Sequence, residues 1–227
     1  MTYKLSAGRR AARDGNRAGA ETITRILDVA ENLFAERGFA ETSQRDVTQA
    51  AGANIAAINY HFGSKEGLYA AVLDRLFGPV LSERMEALSR LEAAQQETGM
   101  PPSVEALLAS WIDPLLDAFY RSDGRGRLIL DLELQVSRSI ERLEIADWPL
   151  PFADYRRQFR SALARSASGL APDVAAWRAE FICSCVLPTL RSGPELHAIS
   201  DARCDVSNRA SFRAAWMSAG LSLLSPL

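Results

Sequence analysis

Apolar residues recur along this chain at helical spacing, and no stretch alternates as a half-buried strand does. From Glu21 onward, Ile23, Leu27, Ala30 and Phe34 fall four, three and four positions apart, and Ile26 and Leu33 widen the stripe. Gly38 predicts the end of that helix. Thr42 or Ser43 then caps a short helix to about Ala50, with Asp46 in its first turn and Val47 and Ala50 turned inward. A turn at Gly52 leads to Asn54, the cap of a second short helix ending near Phe62. On it, Ile55, Ile58 and Phe62 predict a buried stripe. Gly63 breaks the pattern, and Ser64 opens a longer helix with Leu68, Val72, Leu73 and Leu76 on its apolar face. Gly78-Pro79 predicts a kink or stop there, because proline lacks a donor and clashes with the preceding turn. The period resumes through Leu81, Met85, Leu88 and Leu91.

Residues 95–103 read as a loop. Further helices are expected over 104–120, kinked at Pro114, and over 128–143, 155–170, 173–190 and 208–224. Residues 122–127 predict a turn, 145–151 a loop, and 191–206 a loop-like connection. The expected fold class is all-α.

The chain has 227 residues, 48% of them hydrophobic and 24% charged, which suits a globular protein with a good core and excludes disorder as its main state. Its net charge of −2 excludes an indiscriminate nucleic-acid coat of the histone type. That total hides a partition. Residues 1–25 carry Lys4, Arg9, Arg10, Arg13, Arg17 and Arg25 against Asp14 and Glu21. The first twenty residues, punctuated by Gly8, Gly15 and Gly19, therefore predict a flexible basic arm. No secretory h-region and no membrane-length apolar run is present, so the expected location is cytoplasmic, with no membrane partner. Three cysteines make no disulfide framework, and Cys183, Cys185, Cys204 and His197 lack the spacing of zinc sites. No metal and no cofactor are expected.

Residues 42–62 carry the most specific signal. Two short helices joined by a tight glycine turn, behind a longer helix, follow the plan of a helix-turn-helix, whose second helix enters the major groove. Its outward positions are Ala56, Ala57, Asn59 and Tyr60, with His61 at the boundary. The stretches ILDVAENLFAERGF (26–39), TSQRDVTQAAG (42–52) and INYHFGSKEGLY (58–69) resemble the DNA-binding region of the TetR (tetracycline-repressor-like) family of transcriptional regulators.

The resemblance implies a three-helix helix-turn-helix DNA-binding domain over 21–67 and a larger helical ligand-binding and dimerisation domain over 68–227. It also implies a homodimer on a palindromic double-stranded DNA operator, in the commonest mode a repressor released by a small-molecule effector whose binding shifts the two reading heads. Tyr60, His61 and Lys65 match the family's phosphate contacts, and their phenol, imidazole and ammonium can donate to phosphate oxygens. Thr42 and Ser43 sit at a helix N-terminus that favours an anion. The NIAAI segment holds no Arg or Lys. Base reading therefore falls to Gln44, Arg45, Asn54 and Asn59, with methyl contacts from Ala56 or Ala57.

In the C-terminal region, Trp111, Phe119, Tyr120, Trp148, Phe152, Tyr155 and Phe181 are candidates to line an apolar ligand cavity, with Arg138, Glu133 and Gln135 as polar candidates to orient the ligand. The helices at 173–190 and 208–224 resemble the family's dimerisation pair. Trp177, Phe181, Phe212 and Trp216 are its large anchors among many alanines. With only His61 and His197 and no nucleophile, metalloprotease or nucleotide-binding motif, an enzyme is not expected. The alternative is a helical adaptor that acts on a protein partner without binding DNA.

Overall fold

The computed structural model describes residues 5–121, 124–139 and 149–226. Among them there is no strand. The helices are α1 (Leu5–Glu41), α2 (Gln44–Ala51), α3 (Ile55–Phe62), α4 (Lys65–Thr98), α5 (Val104–Phe119), α6 (Arg125–Ser139), α7 (Pro149–Ser166), α8 (Pro172–Ser184), α9 (Val186–Arg191), α10 (Gly193–Ile199) and α11 (Arg209–Leu223). They fall into two compact units, 1–75 with 131–146 and 76–130 with 147–227. The dividing line thus lies at Arg75 inside α4 rather than after Gly67, and a piece of α6 belongs to the first unit.

Several boundaries differ from the sequence pattern. The backbone is helical from Leu5, where a flexible arm is expected, because alanine and arginine dominate 5–20 and both favour helix. α1 breaks at Gly38, whose φ of 80° and ψ of 173° are non-helical. α4 continues as one helix through Pro79 to Thr98. The single helix expected over 173–190 is divided at Cys185, since Pro188 has no N–H to give the Ser184 carbonyl. Residues 193–199 form α10 with proline in its first turn, where a loop is expected.

In the first unit, Ile26, Ala30 and Phe34 of α1, Val47 and Ala51 of α2, Ile58 of α3, and Leu68, Tyr69, Val72 and Leu73 of α4 are all buried. Ile23 and Leu27 are only half-buried, so the inward stripe of α1 is rotated toward Ile26, and on α2 it is Ala51 rather than Ala50 that turns in. Glu31, 3% exposed, faces Arg75 Nε at 3.4 Å, and Arg75 Nη2 reaches Asp28 at 2.6 Å. This arrangement ties α1 to the start of α4.

The second unit is built on α5, which packs against α11 and α7, with α8 against both α7 and α11. Trp111 and Trp216 stack with centroids 5.7 Å apart and planes 14° apart. The Trp216 indole donates to the Ile182 carbonyl at 3.0 Å. Trp216 is therefore a core residue, contrary to its expected place in a dimer interface: α11 turns this position toward α5 and leaves its small residues Ala214, Ala215 and Ala219 outside. Phe212 is half-buried. At one edge Arg213 grips Asp113 with two bonds of 2.5 and 2.8 Å. The Tyr120 hydroxyl donates to the Val206 carbonyl.

Replacing Trp216 with phenylalanine keeps a stacking ring but leaves the Ile182 carbonyl with only the weak Cys185 thiol as a donor. The expected cost is about 1–3 kcal/mol in urea denaturation of the full chain. An unchanged midpoint would show that the indole bond contributes nothing.

Candidate nucleic-acid interface

The first unit holds its two short helices by their ends. Ser43 caps α2 in an extended conformation, φ −98° and ψ 158°. Its Oγ accepts from the Asp46 N–H at 3.1 Å, while Asp46 Oδ2 accepts from the Ser43 N–H at 2.9 Å and from its hydroxyl at 2.6 Å. This reciprocal box satisfies two amides that a helix start leaves orphaned. It also holds the Asp46 carboxyl below the ordinary range, chiefly through the Ser43 hydrogen bonds. At the other end Gly52 takes the left-handed conformation, φ 58° and ψ 40°, which returns its N–H to the last turn and aims the chain into α3. Asn54 then caps α3, its Oδ1 accepting from the Ala56 N–H at 2.9 Å.

Two contacts fix how the helices meet. Arg25 Nε donates to the Ala51 carbonyl at 2.7 Å, so a side chain of α1 closes the C-terminal end of α2. The charge count of the N-terminal region includes Arg25 but gives no sign of this role, because its partner lies 26 positions away. Gly67 is the second. A β-carbon there would stand 1.9 Å from the Phe62 carbonyl oxygen, so only glycine lets the end of α3 lie against the first turn of α4. Beneath them Phe34, Phe39 and Tyr69 form an aromatic cluster, with Phe34 and Tyr69 edge-on at 4.8 Å. Burial pushes the Tyr69 phenol up to about 12.

Ile58 is wholly buried and is the one fully inward residue of α3. Ile55, expected inside, is 40% exposed, and Phe62 is half-buried. Eight residues make little more than two turns, and Ile58 sits at their centre, so Ile55 one turn earlier rotates past the edge of the contact. The outer face carries Ala56, Asn59, His61 and Tyr60, the last 84% exposed. Ala57 is half-buried. The Tyr60 and His61 rings meet edge to face at 4.8 Å. Ser43 and Arg45 are exposed near the start of α2 and Gln44 is half-buried.

Thr42 does not belong with them. It is wholly buried and its hydroxyl donates to the Gly38 carbonyl at 2.9 Å, closing the end of α1. Lys65 is half-buried, 4.3 Å from the Phe39 ring centroid, with Nζ donating to the Ala40 carbonyl at 3.3 Å. An ammonium has three donors, so that bond leaves capacity for an anion.

The residues expected to line a cavity are dispersed. Trp111 and Tyr155 are buried in the second unit, Phe119 and Tyr120 are half-buried at the end of α5, and Phe181 is 59% exposed on α8 beside Trp177. Phe181 therefore points away from the core rather than into a cavity. Gln135 packs against Gly38 in the first unit. Trp148 and the side chains of Arg138 and Phe152 lie outside the described residues. Among the described residues no cluster of His, Cys, Asp and Glu could hold a metal, and no helix is long and apolar enough to cross a membrane.

Two short capped helices, joined at a left-handed glycine and braced by a third, define a helix-turn-helix, the class of module that presents one helix to DNA. Residues 26–72 match the family described as bacterial regulatory proteins, tetR family. That match covers α2, α3 and the adjoining parts of α1 and α4. The chain is 38% identical over 77 residues to the transcriptional repressor KstR2 of Rhodococcus jostii, covering 31% of this chain and 38% of that one. It is 33% identical over 99 residues to the transcriptional regulator TtgR of Pseudomonas putida, covering 43% and 45%. The alignments thus span less than half the length of these curated relatives. Over most of the chain the fold resembles NalD, the secondary repressor of the MexAB-OprM efflux pump in Pseudomonas aeruginosa, with a TM-score of 0.58 and 20% identity over 90% of this chain and 97% of that one. A SmeT–triclosan complex gives a TM-score of 0.59 at 19% identity, over 89% and 90%.

The capping box carries a pH signature. Because the folded Asp46 pKa is lowered, its contribution is complete above the ordinary carboxylate value of about 3.9 and is lost as pH falls through the lowered one. Replacing Ser43 with alanine should speed native-state amide exchange in α2 roughly fivefold at neutral pH. That difference should shrink below about pH 4. Equal exchange in both proteins at neutral pH would remove the box from the account.

Proposed function

We propose that this protein is a transcriptional regulator that binds a palindromic operator as a homodimer and is released from it by a small-molecule effector. The observation that carries the reading is the outer face of α3. A phenol, an imidazole, an amide and a methyl group stand exposed on a helix whose inner side is pinned by Ile58. Tyr60, His61, Lys65 and the Ser43 end of α2 supply donors for phosphates, which set position without reading sequence. Asn59 supplies the paired donor and acceptor that match an adenine edge, and Ala56 offers a methyl contact to thymine, with Arg45 able to reach a guanine edge or a phosphate. Asn54 has already committed its side-chain oxygen to the α3 cap, so it contributes at most its amide N–H groups.

A second copy of the chain is the partner that the exposed face of α8 suits. Val174, Trp177 and Phe181 fall three and four positions apart and are 36%, 64% and 59% exposed. Large apolar side chains in one row are a costly surface for a monomer and a common interface core. The small outer residues of α11 would allow close approach. Two-fold symmetry then places two α3 helices about 34 Å apart on one side of the duplex. The effector reading draws on relatives: KstR2 is a repressor, and SmeT is known in complex with triclosan.

Selection from random duplexes should return an inverted repeat. Tyr60→Phe combined with Lys65→Ala should weaken binding to it at least about tenfold, and the salt dependence of log K should flatten by about one unit for the lost lysine contact. Undiminished affinity at physiological salt would displace this docking. Replacing both Trp177 and Phe181 with serine should convert a sedimenting dimer to monomer. A dimer that persists would move the interface elsewhere.

A further inference from the structure

The second unit contains a buried cation that has no counter-ion among the described residues. Arg84 of α4 is 4% exposed. Its Nε donates to the Trp111 carbonyl at 2.7 Å, and its guanidinium carbon lies 4.1 Å from the Trp111 ring centroid. Trp111 is itself fixed against Trp216, so the guanidinium plane has little freedom. One terminal nitrogen, Nη2, is buried with no hydrogen-bond partner, and so is the hydroxyl of Tyr155.

The titratable groups that bear on Arg84 are Tyr155 and Cys183. Burial pushes the Tyr155 phenol above its ordinary range and the Cys183 thiol up to about 12, so both are neutral at physiological pH. Arg84 falls to about 10 and stays charged. Arg156 and Arg160 also bear on Cys183, and both are engaged by Glu180. Among the described residues no carboxylate pairs with Arg84. A desolvated charge with an unused donor beside an unused hydroxyl is strongly unfavourable unless something supplies the missing acceptor.

We propose that Arg84 and Tyr155 anchor a small organic carboxylate with an apolar body, its oxygens accepting from Arg84 Nη2 and the Tyr155 hydroxyl. The geometry favours this class. Nε is already spent on Trp111, so one edge of the guanidinium remains, and a planar carboxylate fits such an edge. A single negative charge neutralises the site, whereas a phosphate dianion would leave an excess charge in the core. The Trp111 ring against Arg84 and the Phe159 ring against Tyr155 offer aromatic faces to an apolar remainder. This inference rests on the effector-responsive reading above and names the chemical class of that effector.

The test uses the full chain, with calorimetry and thermal melts against benzoate, 4-phenylbutyrate and decanoate, each beside its primary amide. At least one acid should raise Tm by about 5–10 °C at a hundredfold excess over its Kd. Its amide should bind at least about tenfold more weakly. Arg84→Met, which deletes an unpaired buried charge, should melt no lower than wild type without ligand and should lose the acid's shift. Tyr155→Phe removes only the orphaned hydroxyl, and should keep the ligand-free Tm while weakening the acid about fivefold. No shift with any acid, or a shift undiminished in Arg84→Met, overturns the proposal. Operator binding is measured separately on ligand-free protein. Operator binding by a protein that takes up none of the acids sinks this site and leaves the regulator standing. Acid binding by a protein that ignores every duplex upholds the site and sinks the regulator.

Discussion

A helix of eight residues has no stability of its own in water, because nucleation consumes more entropy than so few hydrogen bonds return. The outer face of α3 depends on overcoming this, and one wholly buried side chain, Ile58, does most of the anchoring. α1 packs against both α2 and α3, and with Ile26, Ala30 and Phe34 buried on its inner side it works as a brace for the short helices. Everything else in the first unit limits the remaining freedom. Ser43 and Asn54 fix where α2 and α3 begin, Arg25 closes the far end of α2, and the missing side chain of Gly67 lets α4 cross the end of α3. With the inner side so constrained, the outer side is free to carry residues that contribute nothing to folding.

The second unit meets a different constraint. Its core is large enough to tolerate polar atoms, and it distributes them unevenly. Trp216 has its indole bond, and Arg213 has both oxygens of Asp113. Arg84 and Tyr155 keep buried polar atoms without partners. Folded proteins satisfy the large majority of such groups. A buried cation and a buried hydroxyl left open in one unit are therefore a functional clue, whereas the paired groups explain only stability.

Much of this was legible in the sequence because it depends on neighbours along the chain. The caps at Ser43 and Asn54, the glycine turn and the helical period all follow from local chemistry, and the INYHFGSKEGLY stretch carries family resemblance as well. Position within a helix was read less well. Periodicity counts Ile55 and Ile58 alike, yet α3 is too short to bury both, and it counts Thr42 as a possible cap where the fold uses its hydroxyl to close α1. Trp216 and Phe181 look like similar aromatic anchors in the sequence. One is stacked inside on Trp111 and the other stands outside beside Trp177.

Local chemistry along the chain therefore set the helical class, the ends of the short helices and the family resemblance of the helix-turn-helix segment, since each rests on interactions within a few residues. Packing between distant helices set which side chains face outward, that Arg25 reaches Ala51, and that Arg84 is enclosed against Trp111 with no acid to meet it among the described residues. Those contacts join positions 26 and 27 residues apart. Their partners are chosen by the packing of whole helices, which no local pattern encodes.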